Sequence, residues 1–185
     1  MAILTAGIIV FIAVHLLPSF QSVRSSLVAH LGTGPYKGLF SLGALTGLTL
    51  IVFGFANADF VPVWQPPPWG RFASMVLMFP VFILMAGANM RSNLKRFVKH
   101  PFLWSIVLWA VAHLIANGDK ASLILFASLG VFALFDMWSA NRRTNSSSIS
   151  PVARKFDFLI VALGTIGYVA VLLIHPYLFG VPVLH

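Results

Sequence analysis

Residues 38–58 read GLFSLGALTGLTLIVFGFANA, a stretch without a single Asp, Glu, Lys or Arg. A helix of ~20 apolar residues, rising ~1.5 Å per residue, crosses the ~30 Å hydrocarbon core of a bilayer. The same property recurs along the chain. Residues 2–23, 72–90, 100–118, 121–135 and 158–185 are also free of charged side chains, and their lengths predict six membrane helices. The fifth run is short and needs Asp136, Met137 and Trp138 to extend it, with the Trp138 ring as an anchor at headgroup level. Strands are excluded, because a lipid-spanning sheet must close into a barrel of alternating polar and apolar residues. Neither Ile8 to Leu17 nor Leu42 to Phe53 alternates in that way.

Composition agrees. The 185 residues include 12 Lys or Arg and 4 acidic residues, all Asp, and 59% are hydrophobic. A soluble domain of this size carries roughly a quarter charged residues, and disorder requires low hydrophobicity. The absence of Cys removes disulfides, thiolate zinc sites, thiol nucleophiles and cysteine-ligated iron.

The net charge of +8 suggests nucleic acid until the basic residues are placed. Arg24 and Lys37 fall in the first connection, Arg91, Lys95, Arg96 and Lys99 in the third, and Arg142, Arg143, Arg154 and Lys155 in the fifth. Only Arg71 and Lys120 fall in the second and fourth. Such a bias puts the odd connections in the cytoplasm and both termini outside. The charge is then a topology signal and an attraction to anionic lipid; without aromatic-basic interleaving, no nucleic-acid partner is expected. The first run has no basic n-region and no cleavage site, so it reads as a retained span.

The connections fit this all-α, single-domain, polytopic bundle over residues 1–185. Asn57 to Gly70, with Pro62 and Pro66-Pro67-Pro68, reads as a rigid outer cap. Asn117-Gly118-Asp119 reads as a tight turn, with Gly118 a left-handed helix stop and Asp119 an N-cap, which makes the fourth and fifth spans antiparallel neighbours. Gly43 and Gly47 form a small-residue face for close helix packing. Ser146-Ser147-Ser148 and Pro151 read as a flexible linker.

Ionisable groups inside spans are costly and therefore functional candidates. His15 lies about 20 Å along the first helix and His113 about 18 Å along the fourth, which places both near the midplane. No acidic residue shares that depth, so a carboxylate metal site is disfavoured. Two facing imidazoles suit the axial positions of a haem iron. Gly7 and Phe11 beside His15, and Ser105, Ile106, Trp109 and Ala110 beside His113, offer small and aromatic neighbours for a flat apolar ring. His100 and His175, each followed by Pro, read first as structural groups at helix ends and second as further candidates. Asp136 is expected to pair with Arg142 or Arg143, with a role beside a histidine as the lesser reading.

Several of these residues carry a resemblance. Val14-His15, Tyr36-Lys37-Gly38-Leu39-Phe40-Ser41-Leu42, Pro66-Pro67-Pro68-Trp69, Lys99-His100-Pro101, Leu108 to Asp119 and His175-Pro176-Tyr177-Leu178-Phe179-Gly180 occur in this order, and with them the chain resembles the NnrU family of small bacterial membrane proteins. That family is similar to plant zeta-carotene isomerase, a haem b membrane enzyme acting on a cis double bond. The resemblance implies His15 and His113 as axial ligands. It implies an inner-membrane protein linked to nitrite and nitric oxide reduction, or to redox-dependent isomerisation of an apolar isoprenoid, with a nitrogen-oxide reductase system as a partner. Where the isomerase has a cysteine three residues before its second ligand, this chain has Ala110, which puts ligand switching in doubt. A more distant likeness to isoprenylcysteine-type membrane methyltransferases fails on the segment from Ser139 to Ser150, which lacks the acidic and aromatic residues needed for S-adenosylmethionine.

Arg71, Arg91 or Arg96 are the expected partners of the haem propionates. The competing expectation, resting on the shortage of catalytic groups, is a cofactor-free assembly or small-molecule transport protein.

Overall fold

The computed structural model describes residues 1–143 and 150–183; the serine run expected as a linker lies outside them. Within them the architecture is all-α. Helix α1 (Ala2–Leu16) runs into a 3-10 turn at Leu17–Ser19, and α2 (Gln21–Leu31), α3 (Thr33–Ala56), α4 (Gly70–Asn89), α5 (Leu94–Phe97), α6 (Pro101–Ala116), α7 (Lys120–Arg143) and α8 (Lys155–Phe179) follow. Residues Ala2–Ser19 and helices α3, α4, α7 and α8 are each long and apolar enough to cross a membrane.

The short member is not the one expected. Helix α7 has 24 residues, because the polar Asp136 and the terminal Arg142 and Arg143 continue the helix instead of ending it. Helix α6 has 16, because Pro101 fixes its start and Asn117, whose side chain and backbone both donate to the His113 carbonyl, closes its end. Its neighbours compensate, since α6 is sandwiched between α4 and α7.

Helix α1 packs against α3 and α7, α6 against α7 and α4, and α8 against α4. The order across the bundle is therefore α3, α1, α7, α6, α4, α8. Glycines set the closest approaches. A side-chain carbon at Gly47 would sit 2.8 Å from the Phe11 amide nitrogen, and one at Gly7 2.7 Å from that of Ile51. The expected small-residue face at Gly43 and Gly47 thus joins α3 to α1, and Gly54 extends it. Leu4, Ile8, Ile51, Ala110, Ala121, Leu125 and Phe126 form the buried core where α1, α3, α6 and α7 meet.

The basic residues of the first, third and fifth connections gather at one end of the bundle. At the other end the proline-rich cap clasps the α6–α7 turn: the Val63 and Trp64 amides donate to the Gly118 carbonyl at 2.8 and 3.1 Å, and the Lys120 amide donates to the Val61 carbonyl at 2.8 Å. Asp119 caps α7, its carboxylate accepting from the Ser122 amide at 2.9 Å. Gly118 is a correction, because among the described residues only Gly32 and Gly180 have positive φ. Its side-chain hydrogen is required by space instead, since a carbon there would overlap the Trp64 carbonyl oxygen.

Asp119→Ala removes that cap and is expected to cost about 1 kcal/mol. A fall of about 2–4 °C in the unfolding midpoint in detergent is the readout; an unchanged midpoint contradicts the cap.

Candidate functional site

Each intramembrane histidine is held by its own helix. The His15 Nδ1 lies 2.7 Å from the Phe11 carbonyl and the His113 Nδ1 2.8 Å from the Trp109 carbonyl. A carbonyl only accepts, so in both rings Nδ1 carries the proton. The neutral imidazole then presents the Nε2 lone pair, the form in which histidine ligates a metal. Residues i and i−4 stack on one helix face, so the lock follows from local sequence. The aromatic residues at those positions also pack the rings: Phe11 stacks on His15 at 4.1 Å and Trp109 lies 5.2 Å from His113.

Depth separates them. His15 and His113 each lie in the last turn of their helices, and α1 and α6 run in opposite directions. His15 packs near Phe132 of α7 (6.3 Å between ring centres), whereas His113 stacks on Phe126 of the same helix (4.5 Å). Six residues of α7 separate these contacts, about 9 Å along its axis. That offset is under two helical turns. The donor chemistry at each histidine fits haem iron.

The neighbours divide in the same way. Trp109 remains beside His113. Ala110 is buried on the α7 side, against Gly130, and Gly7 is filled by Leu50 and Ile51 of α3. The small residues expected to make room for a ring lie at helix contacts.

What the fold does bring together is His113 and His175. Both line a cavity of about 60 Å³ between α4, α6 and α8, with Met75, Met78, Phe82 and Tyr168. The His175 Nδ1 donates to the Val181 carbonyl at 2.8 Å, which again leaves Nε2 free. The Tyr168 hydroxyl donates to the Met75 carbonyl at 3.2 Å. The cavity falls far below the ~300–1,000 Å³ of a site for a drug-sized ligand. Among the described residues, no group of three or more His, Cys, Asp or Glu side chains is placed to hold a metal ion.

The remaining candidates are structural. His100 donates through Nε2 to the Asn141 side-chain oxygen at 2.9 Å and so ties α6 to α7. Asp136 accepts from Ser19 at 3.2 Å and pairs with Arg143 at 3.6 Å, as its position in the sequence suggested. Arg143 also donates to the Pro18 carbonyl at 2.9 Å, which fastens the end of α7 to the turn after α1.

A second cavity was not foreseen. It measures about 530 Å³, opens at the basic end, and is lined by Pro18, Gln21, Arg24, Tyr36, Lys37, Phe40, Ser41 and Arg143. Phe40 lies 5.3 Å from the His15 ring. The Tyr36 hydroxyl is buried without a hydrogen-bond partner, a state that costs about 1–3 kcal/mol. Helix α2, which carries His30, occupies most of the first connection. The one sequence signal was the Tyr36-Lys37 pair at the mouth of the second span.

Comparison with protein families finds a match over residues 3–183, nearly the whole chain, to the family described as NnrU protein. No curated protein and no solved structure matches the chain.

Proposed function

The chain belongs to the NnrU family, and on that premise we propose that it is an inner-membrane haem b protein with His15 and His113 as iron ligands, serving nitrite or nitric oxide reduction or the redox-dependent isomerisation of an apolar lipid. The observation that carries the reading is the shared backbone lock, which turns both imidazoles into Nε2 donors. The chain has no cysteine to compete for iron. Haem, when bound, supplies electron transfer or a polarising iron; the protein's own part is to hold the two imidazoles in one tautomer and to keep an apolar surround of Phe11, Trp109, Phe126 and Phe132 about them.

The absorption spectrum after haem-replete expression is the test. The expected result is a Soret band that weakens or shifts in His15→Ala and in His113→Ala. Absence of the band, or the same band in both variants, overturns the reading.

The offset of the two histidines along α7 favours a second reading, a cofactor-free protein that assembles a reductase or moves a small molecule. Gene deletion separates the two. Normal reductase and haem levels with altered isoprenoid isomers count against assembly, whereas depleted reductase with no Soret band in the purified protein supports it.

A further inference from the structure

We propose that the cavity at the basic end binds the phosphate headgroup of an anionic membrane lipid, with Arg24 and Lys37 supplying charge and Tyr36 supplying a hydrogen bond. Nothing in the haem reading requires this site, and the two stand or fall separately.

Three observations converge on it. The first is size and place. A volume of about 530 Å³ lies where α1 ends and α3 begins, at the end of the bundle that gathers the basic residues. Headgroups occupy that level beside a spanning helix.

The second is charge. Arg24, Lys37 and Arg143 line the cavity, and no acidic residue does. Arg143 is partly engaged by Asp136. Arg24 and Lys37 make no ion pair among the described residues, so two cations on different helices face one space without a counter-ion. Basic pockets of this kind are the usual means of holding anionic headgroups.

The third is the hydroxyl of Tyr36. Tyr36 lines the cavity and is 9% exposed, and its buried hydroxyl has no partner. A phosphate oxygen entering there would accept its proton. Gln21 and Ser41 add polar contacts, and Pro18 and Phe40 an apolar border on which the start of an acyl chain can rest. Phe20, Val23 and Leu31, on and beside α2, are exposed and apolar, as expected of a short helix at the lipid interface.

The experiment uses the full chain purified in detergent, with native mass spectrometry of bound phosphatidylglycerol against phosphatidylcholine. The expected result is selective retention of phosphatidylglycerol. The double variant Arg24→Ala, Lys37→Ala is expected to lower that retention about tenfold or more, while Lys95→Ala, Arg96→Ala, which removes charge from the same end outside the cavity, leaves it unchanged. Tyr36→Phe is expected to weaken retention several-fold without lowering the unfolding midpoint of the lipid-free protein, because it removes a hydroxyl that has no partner in that state. Equal retention of the two lipids, or equal losses in the two double variants, overturns the site. Displacement of the lipid by millimolar inorganic phosphate assigns the cavity to a soluble oxyanion and overturns the lipid.

Discussion

Gly54→Leu is expected to prevent the bundle from forming. A side-chain carbon at position 54 would lie 2.7 Å from the Leu4 α-carbon and would overlap the Leu4 amide nitrogen. Main-chain atoms cannot turn aside as a side chain can, so the first turn of α1 must move off α3. Ordinary overpacking costs about 1–3 kcal/mol, and more where backbone is displaced. Leu4 is fully buried and belongs to the core shared with Ile8 and Ile51, which a shift of α1 would open. The readout is size-exclusion chromatography in mild detergent, where the variant is expected to aggregate or disappear. Gly38→Leu is the matched control, since no atom lies within 4 Å of a side chain there. It is expected to leave the unfolding midpoint unchanged or raised, because glycine inside a helix is about 0.8–1.0 kcal/mol less favourable than alanine. A monodisperse, wild-type-like Gly54→Leu protein would show that α1 and α3 do not meet at this position.

Gly118→Asn is the second large effect, and it separates two reasons for a glycine. If the position required a left-handed backbone, asparagine would be the best replacement, since it tolerates that conformation. The backbone at 118 is not left-handed. The carbonyl of Trp64 fills the space a side chain would need, and Pro66 Cδ lies 2.8 Å from it. Asparagine is therefore expected to be no better than alanine, and both are expected to break the clasp between the proline-rich cap and the α6–α7 turn. Loss of the hydrogen bonds from Val63, Trp64 and Lys120 should appear as rapid amide exchange at these residues, with a fall of several degrees in the midpoint. Gly180, the left-handed residue that ends α8 at φ 70°, should accept asparagine. Equal tolerance of asparagine at 118 and 180 would refute the steric account.

Much of the fold was legible because charge is rare. Runs without charged residues located the spans, Gly43 and Gly47 marked the α1–α3 contact, Asp119 marked a cap, and Asp136 with Arg143 marked a pair. Helix α2 was not legible, because its sequence QSVRSSLVAHL is neither charge-free nor evenly apolar and so resembles a loop. The end of α1 was hidden for a related reason: a charge-free run bounds a helix from outside and does not reveal that α1 stops at Leu16, before Pro18. The pairing of His113 with His175 depends on α4, which holds α6 and α8 on one side of the bundle. No local spacing encodes that adjacency. The unpaired hydroxyl of Tyr36 was likewise invisible, since a residue's lack of a partner is a property of all its neighbours.

The order of helices across the bundle also sets a timetable for synthesis. Helix α1 can settle on α3 almost as soon as both are made, but its other neighbour is α7, and the hydrogen bond from Ser19 to Asp136 joins residues 117 positions apart. At about 5–20 residues per second, the ribosome needs roughly 6–23 s to supply that partner. During this interval the α7-facing side of α1, with His15 at its end, is open to lipid and to whatever the membrane carries, and it closes only when α7 arrives.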